Sequence, residues 1–115
     1  MARPTAGPST TATLQFDNFL AREVPLIEQS PAFGPNDVII VTYDEDERAG
    51  GMAKKNGFGQ GGHVASAILG PLAVPGEYTG VFYHYSLLRT IEDGFGLSAY
   101  VGYANNVTPI TGIWH

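Results

Sequence analysis

Residues 38–45 carry the strongest structural signal in this chain: Val38-Ile39-Ile40-Val41-Thr42-Tyr43-Asp44-Glu45. A run of β-branched apolar residues with no charge until its end is typical of a strand covered on both faces, as in a parallel sheet flanked by helices. Ligands of open α/β sheets bind at the carboxyl ends of strands. The two carboxylates that close this run are therefore placed for metal binding or phosphate chemistry.

The segments on either side of this run predict further elements. Helical spacing over 14–29 predicts a first helix, with a kink at Pro25 or a second short helix beginning there. The apolar run 64–69 predicts a second strand. Because two strands make a poor sheet with unpaired edges, we expect that partner strands are missing.

A second helix is predicted at about 84–95. Leu87, Leu88, Ile91 and Phe95 would share one apolar face, and Glu92 would lie on the opposite, polar face. A glycine after the helix would take the left-handed position that ends it. The order of elements predicts an α/β fold.

Composition excludes several classes of protein. The chain has 115 residues, no cysteine and a net charge of -5. A nucleic-acid surface needs clustered bases, and Lys54 and Lys55 are the one adjacent pair. Without cysteine, neither a disulfide framework nor a thiolate metal site is available. No apolar run approaches the roughly 20 residues of a membrane span, and residues 1–13 are expected to form a disordered lead-in.

The acidic segment after the first strand has three interpretations. Asp44 and Glu45, followed by two more acids, could hold a divalent cation through oxygen ligands. They could share a proton as an acid/base pair, or form an ordinary solvated loop. A calcium EF-hand is excluded, because its loop needs an oxygen ligand and a glycine where this chain has Arg48 and Ala49.

The residues between the two predicted strands form a long polar segment, 46–62, that is expected to be a loop. Its glycines match a dinucleotide-binding fingerprint, but they precede a strand instead of following one, which favours a flap or a plain loop. His63 then opens the second strand, where it could bind a metal, donate a proton to a phosphate ester, or be structural. His84 is expected to cap or pack the start of the second helix.

Three segments in one order carry a family resemblance. They are Val-Ile-Ile-Val-Thr-Tyr-Asp44-Glu45, Gly-His63-Val-Ala-Ser-Ala-Ile-Leu-Gly-Pro71 and Tyr-His84-Tyr-Ser-Leu-Leu-Arg-Thr-Ile-Glu92-Asp-Gly-Phe-Gly-Leu97. From about 14 to 114 the chain resembles the phosphoesterase family of bacterial and fungal acid phosphatases and phospholipases C. The resemblance implies a partial alkaline-phosphatase-like α/β sandwich, with two core strands, flanking helices and an incomplete sheet.

The same resemblance implies a site and a reaction. Asp44 and Glu45 fall on the family's acidic pair and would ligate a divalent metal ion, whose identity the sequence does not give. His63 matches a histidine before the next core strand and would act as a catalytic residue that contacts the metal or the phosphate. The substrate would be a phosphate ester, and the family is typically secreted or periplasmic.

One departure from the family pattern shapes the functional expectation. The family's Glu-Asn metal-binding segment and its Ser or Thr nucleophile have no counterpart in this sequence. Residues 14–115 are therefore expected to be the C-terminal segment of a phosphoesterase domain that is inactive alone. The alternatives are a noncatalytic partner or remnant domain, completion by a separate N-terminal half, and self-association through open sheet edges.

Overall fold

The computed structural model describes residues 8–45 and 62–115. The elements in chain order are α1 (Pro8–Glu28), β1 (Ile39–Val41), β2 (Ala67–Leu69) and α2 (His84–Gly94), followed by a 3₁₀ helix at Gly102–Asn106. The two strands form an open two-stranded sheet. The arrangement is a partial α/β fold with an incomplete sheet, as the sequence predicts.

The two strands pair in an antiparallel manner, with Ile39 opposite Leu69 and Val41 opposite Ala67. The interpretation of the 38–43 run as part of a parallel sheet is therefore wrong for this pair. A parallel pair needs a long crossover connection, usually a helix, whereas an antiparallel pair needs a loop alone. The sequence of residues 46–62 is polar and rich in glycine, and it lacks the apolar spacing of a crossover helix.

The first helix is longer than its sequence pattern predicts. It begins at Pro8, so residues 8–13 lie in α1 and not in the disordered lead-in that the sequence predicts for them. A proline is tolerated in a first helical turn because its missing N–H would have no partner there. Pro25 lies inside α1, which continues to Glu28 as one element, so the interpretation as two helices is wrong. The Gln29 amide still donates to the Pro25 carbonyl at 3.0 Å, which preserves the last turn.

A tight turn leads from α1 into β1. The Gly34 amide donates to Asp37 Oδ2 at 2.7 Å, and the Asp37 amide donates to the Gly34 carbonyl at 3.1 Å. The end of β2 crosses this turn at Gly70, whose φ is +134°. A Cβ at position 70 would lie 2.7 Å from the Asp37 carbonyl oxygen. Glycine is therefore required where the two strand ends approach each other.

The second helix spans His84–Gly94 and ends as predicted, with Gly96 at φ +70°. Its predicted faces are partly wrong. Phe95 is 79% exposed, whereas Glu92 is 4% exposed. The Glu92 carboxylate is buried because it accepts the Val101 amide at 3.3 Å and so holds the chain that follows the helix.

Arg89 joins α2 to the irregular C-terminal segment. Its guanidinium donates to the carbonyls of Ala104 at 3.2 Å and Val107 at 3.4 Å. The same group lies 3.7 Å from the centre of the Tyr100 ring and pairs with Asp93 at 3.4 Å. This cluster includes the most buried apolar residue of the described chain, Ala104.

The tail returns to the segment after β2. The Val74 amide donates to the Ile113 carbonyl at 2.7 Å, and the His115 amide donates to the Leu72 carbonyl at 2.8 Å. The indole N–H of Trp114 is bound by the Ile110 carbonyl at 2.8 Å. The side chain of Trp114 is thus held by the backbone of the tail itself.

The core of the described residues is thin. Among them, Ala104, Ser86 and Glu92 are the buried side chains, and the strand residues of β1 are half-buried. Large apolar side chains such as Leu26 and Val81 are exposed. Within residues 8–45 and 62–115, no helix has the length and apolar character needed to cross a membrane.

Candidate functional site

A hydrogen bond between side chains holds the two strands together just beyond their backbone pairing. Thr42 Oγ1 and Ser66 Oγ lie 2.7 Å apart, and each belongs to the residue next to the paired segment. The backbone pairing ends at Val41 and Ala67, so Asp44 and Glu45 follow the end of β1 where His63 precedes the start of β2. The fold therefore brings the three predicted site residues to the same end of the strand pair.

The two carboxylates lie at this end and are exposed to solvent. The Glu45 amide donates to Asp44 Oδ1 at 2.9 Å, which fixes one oxygen of the Asp44 carboxylate against its own backbone. Two adjacent carboxylates concentrate negative charge and hard oxygen ligands, the donors that Mg²⁺ and Ca²⁺ prefer. The chemistry of these donors fits a divalent cation.

His63 is exposed and lies between the glycine-rich segment and β2. Within the described residues, its side chain makes no hydrogen bond to Asp44 or Glu45. That part of the chain also contains no group of three or more His, Cys, Asp or Glu side chains able to hold a metal. The two acids after Glu45 and the glycine segment, apart from Gly62, lie outside the described residues.

A second histidine contacts the acidic segment. His84, the first residue of α2, places Nε2 at 2.8 Å from the Asp44 backbone carbonyl. A carbonyl oxygen only accepts, so Nε2 carries the hydrogen of this bond. The sequence predicts that His84 caps or packs the start of the helix, because a bond to a residue forty positions away leaves no trace in a local pattern.

An aromatic contact also involves the residue just before the acidic pair. The Tyr43 ring packs against the Phe16 ring of α1, with 5.0 Å between ring centres and a tilt of 42°. Tilted aromatic pairs at this separation are favourable. The end of β1 is thus contacted by α1 at Tyr43 and by α2 at Asp44.

Comparison with known proteins places these residues within a family pattern. The model of the Phosphoesterase family matches residues 8–98. This range includes both strands, the two acids, His63 and the whole of α2. The match therefore covers every residue of the site described above.

A curated relative is the phosphatidylinositol-3-phosphatase of Mycobacterium tuberculosis. The chain is 37% identical to it over 79 residues, which are 69% of this chain and 23% of the relative. The chain thus spans about a quarter of the length of that relative. No solved structure matches the chain.

Proposed function

From the premise that this chain belongs to the Phosphoesterase family, we propose that it forms part of a metal-dependent active site that hydrolyses phosphate monoesters. Asp44 and Glu45 ligate the divalent cation, and His63 contacts the cation or the phosphate. The observation that carries the proposal is the position of all three residues at one end of the strand pair.

The chemistry of phosphate ester cleavage explains why these groups suit the task. A bound divalent cation would neutralise charge that develops on the phosphoryl oxygens. Two carboxylates give such a cation a negative, oxygen-rich surface. The imidazole of His63 could donate a proton to the departing alkoxide, the role that histidine most often takes in general acid catalysis.

The name of the relative supports a monoester over a diester substrate. The M. tuberculosis protein is called a phosphatidylinositol-3-phosphatase, and a phosphatase removes a terminal phosphate group. We propose the same reaction class for this chain.

We propose further that these residues act together with parts of the fold outside the described segment. Phosphoryl transfer needs a nucleophile, a cation and a charge clamp positioned together. The described residues supply two acids and a histidine, without a group of three metal-binding side chains. The open sheet and thin core also leave apolar surface for further strands to cover. The chain alone is therefore expected to turn over little or no substrate.

One observation favours a second candidate, a noncatalytic partner or remnant domain. The carboxylates of Asp44 and Glu45 are exposed, and in the described part of the chain no third metal-binding side chain joins them. A domain of this kind would keep the strand pair and bind no cation at its acidic end.

Calorimetric titration separates the two candidates. The chain is titrated with Mn²⁺, Mg²⁺, Ca²⁺ and Zn²⁺, and the same titrations are run on Asp44→Asn and Glu45→Gln. The proposal predicts cation binding that either substitution weakens by about tenfold or more, because each removes a charged ligand. Glu77→Gln is the matched control, since Glu77 is an exposed acid distant in sequence from the site.

A hydrolysis assay completes the test. With 4-nitrophenyl phosphate and each cation, the chain alone should release little or no nitrophenol. Absence of cation binding in the wild-type chain would favour the noncatalytic domain. Robust turnover by the 115 residues would refute the proposal that other parts of the fold are needed.

A further inference from the structure

We propose that His84 is a positioning residue that orients the Asp44 carboxylate for cation binding. The proposal rests on the proposed function of Asp44 and Glu45 as metal ligands. On this proposal His84, the first residue of α2, acts at the end of β1 and not at the start of its own helix.

One peptide unit carries the argument. The peptide bond between Asp44 and Glu45 has the Asp44 carbonyl on one side and the Glu45 amide on the other. His84 Nε2 donates to that carbonyl at 2.8 Å, and the amide donates to Asp44 Oδ1 at 2.9 Å. The imidazole, the peptide group and the carboxylate thus form one chain of hydrogen bonds.

Bonds in such a chain strengthen one another. A donor on the carbonyl polarises the peptide group, and its N–H becomes a stronger donor to the carboxylate. The bond from His84 therefore reduces the freedom of the peptide unit and also holds Oδ1 in place. The other Asp44 oxygen, Oδ2, is left as the oxygen that can face a cation.

The helix start does not need the imidazole. The Ser86 hydroxyl accepts the Tyr83 amide at 3.1 Å, which satisfies a backbone donor at the beginning of α2. Ser86 is 3% exposed, so this bond is protected from water. The His84 side chain instead reaches across to the strand end, as a residue that acts through a ligand does in other metal sites.

Three substitutions test the proposal. His84→Leu removes the donor, whereas His84→Gln keeps an N–H at a similar reach. His84→Asn keeps the amide but shortens the reach. His115→Leu is the matched control, because the structure gives His115 a backbone bond and an exposed side chain.

The first readout is the affinity for Mn²⁺ by calorimetry. Residues that orient a ligand contribute roughly tenfold to a hundredfold in affinity. We expect the low end, about tenfold, for Leu and Asn at this exposed site, with Gln within about threefold of wild type. Equal affinity in the wild type, His84→Leu and His84→Gln would overturn the proposal.

The second readout needs no metal. The amide nitrogen of Glu45 belongs to the peptide unit that His84 binds, so its NMR shift and relaxation should change in His84→Leu and return in His84→Gln. If the wild-type chain binds no Mn²⁺, the proposed function fails, and this second readout alone judges His84. An unchanged Glu45 amide in His84→Leu would then overturn the positioning role. Far-UV circular dichroism checks that every variant keeps α2. If His84→Leu does not fold, the comparison of His84→Gln with His84→Asn tests the positioning role instead.

Discussion

Replacing Arg89 by methionine should destabilise the chain by about 2–3 kcal/mol, a value that follows from what its guanidinium contacts. Hydrogen bonds from a charged donor contribute about 1.5–3 kcal/mol when well formed. The two bonds to the carbonyls of Ala104 and Val107 are 3.2 and 3.4 Å long, which places them at the low end. Ala104 is fully buried, so part of its carbonyl's cost of desolvation remains when the donor is removed.

Two further contacts of Arg89 add less. Stacking of the guanidinium on Tyr100 at 3.7 Å contributes about 0.5–1 kcal/mol. The pair with Asp93 at 3.4 Å is solvent-screened, since that carboxylate side chain is 36% exposed, and adds a few tenths of a kcal/mol at most. Contacts within one cluster do not add fully, which keeps the total near about 2–3 kcal/mol.

Urea denaturation followed by tryptophan fluorescence measures the loss. The chain has one tryptophan, and Trp114 is held against the segment after β2. With a slope of about 1–3 kcal/mol per molar urea, the midpoint should fall by about 1 M or more. Arg89→Lys should lose about half as much, because lysine keeps the charge but lacks the planar fork.

Arg22→Met is the matched control. Arg22 also contacts an acid and an aromatic ring, Glu23 at 3.0 Å and Phe19 at 5.7 Å, but its side chain is 66% exposed. Its loss should stay within about 0.5 kcal/mol. If the two methionine variants shift the midpoint equally, the argument from burial and carbonyl contacts is wrong.

Two further predictions concern backbone geometry and pH. Gly70→Ala should lower the free energy of unfolding by about 1–3 kcal/mol, because its φ of +134° disfavours a side chain and the new Cβ would meet the Asp37 carbonyl at 2.7 Å. Urea denaturation measures this loss. Gly76→Ala is the control that separates the clash from the backbone strain, because φ is also positive at Gly76 but the space around it is open. The hydrogen bond to the Asp93 carboxylate raises the pKa of Tyr100 above its usual 10.0. Because the neutral phenol is the form that the fold favours, its stabilising contribution is full below pH 10 and is lost as pH rises through the raised pKa. NMR titration of the Tyr100 ring carbon should show this pKa move down in Asp93→Asn, and an unchanged value would contradict the assignment of the cause.

Local patterns predicted those elements whose signals lie within a few residues. The β-branched run predicted β1, and a glycine after the second helix predicted its end, which Gly96 provides. The pairing direction was not predicted correctly, because both strand types tolerate a short apolar run. The burial of Glu92 was missed since it depends on the Val101 amide, which follows after an irregular segment.

The candidate site was likewise predicted where its signals are local and missed where they depend on distant contacts. Asp44, Glu45 and His63 stand out because each adjoins an apolar run, and the antiparallel pairing brings them to one end of the strands. Their roles stay predictions. His84 could not have been identified, since its bond to the Asp44 carbonyl joins residues forty positions apart in the chain.

The hydrogen bond between the Thr42 and Ser66 side chains affects how far the connection between the two strands can vary in length. Residues 43–65 connect Thr42 to Ser66. The hydrogen bond between these two side chains, next to the paired strands, holds both ends of the connection. When the two ends of a connection are held, doubling its length adds only about 0.6 kcal/mol of closure entropy. Evolution or engineering can therefore lengthen the middle of this connection while the anchoring hydroxyls, and the register they protect, stay in place.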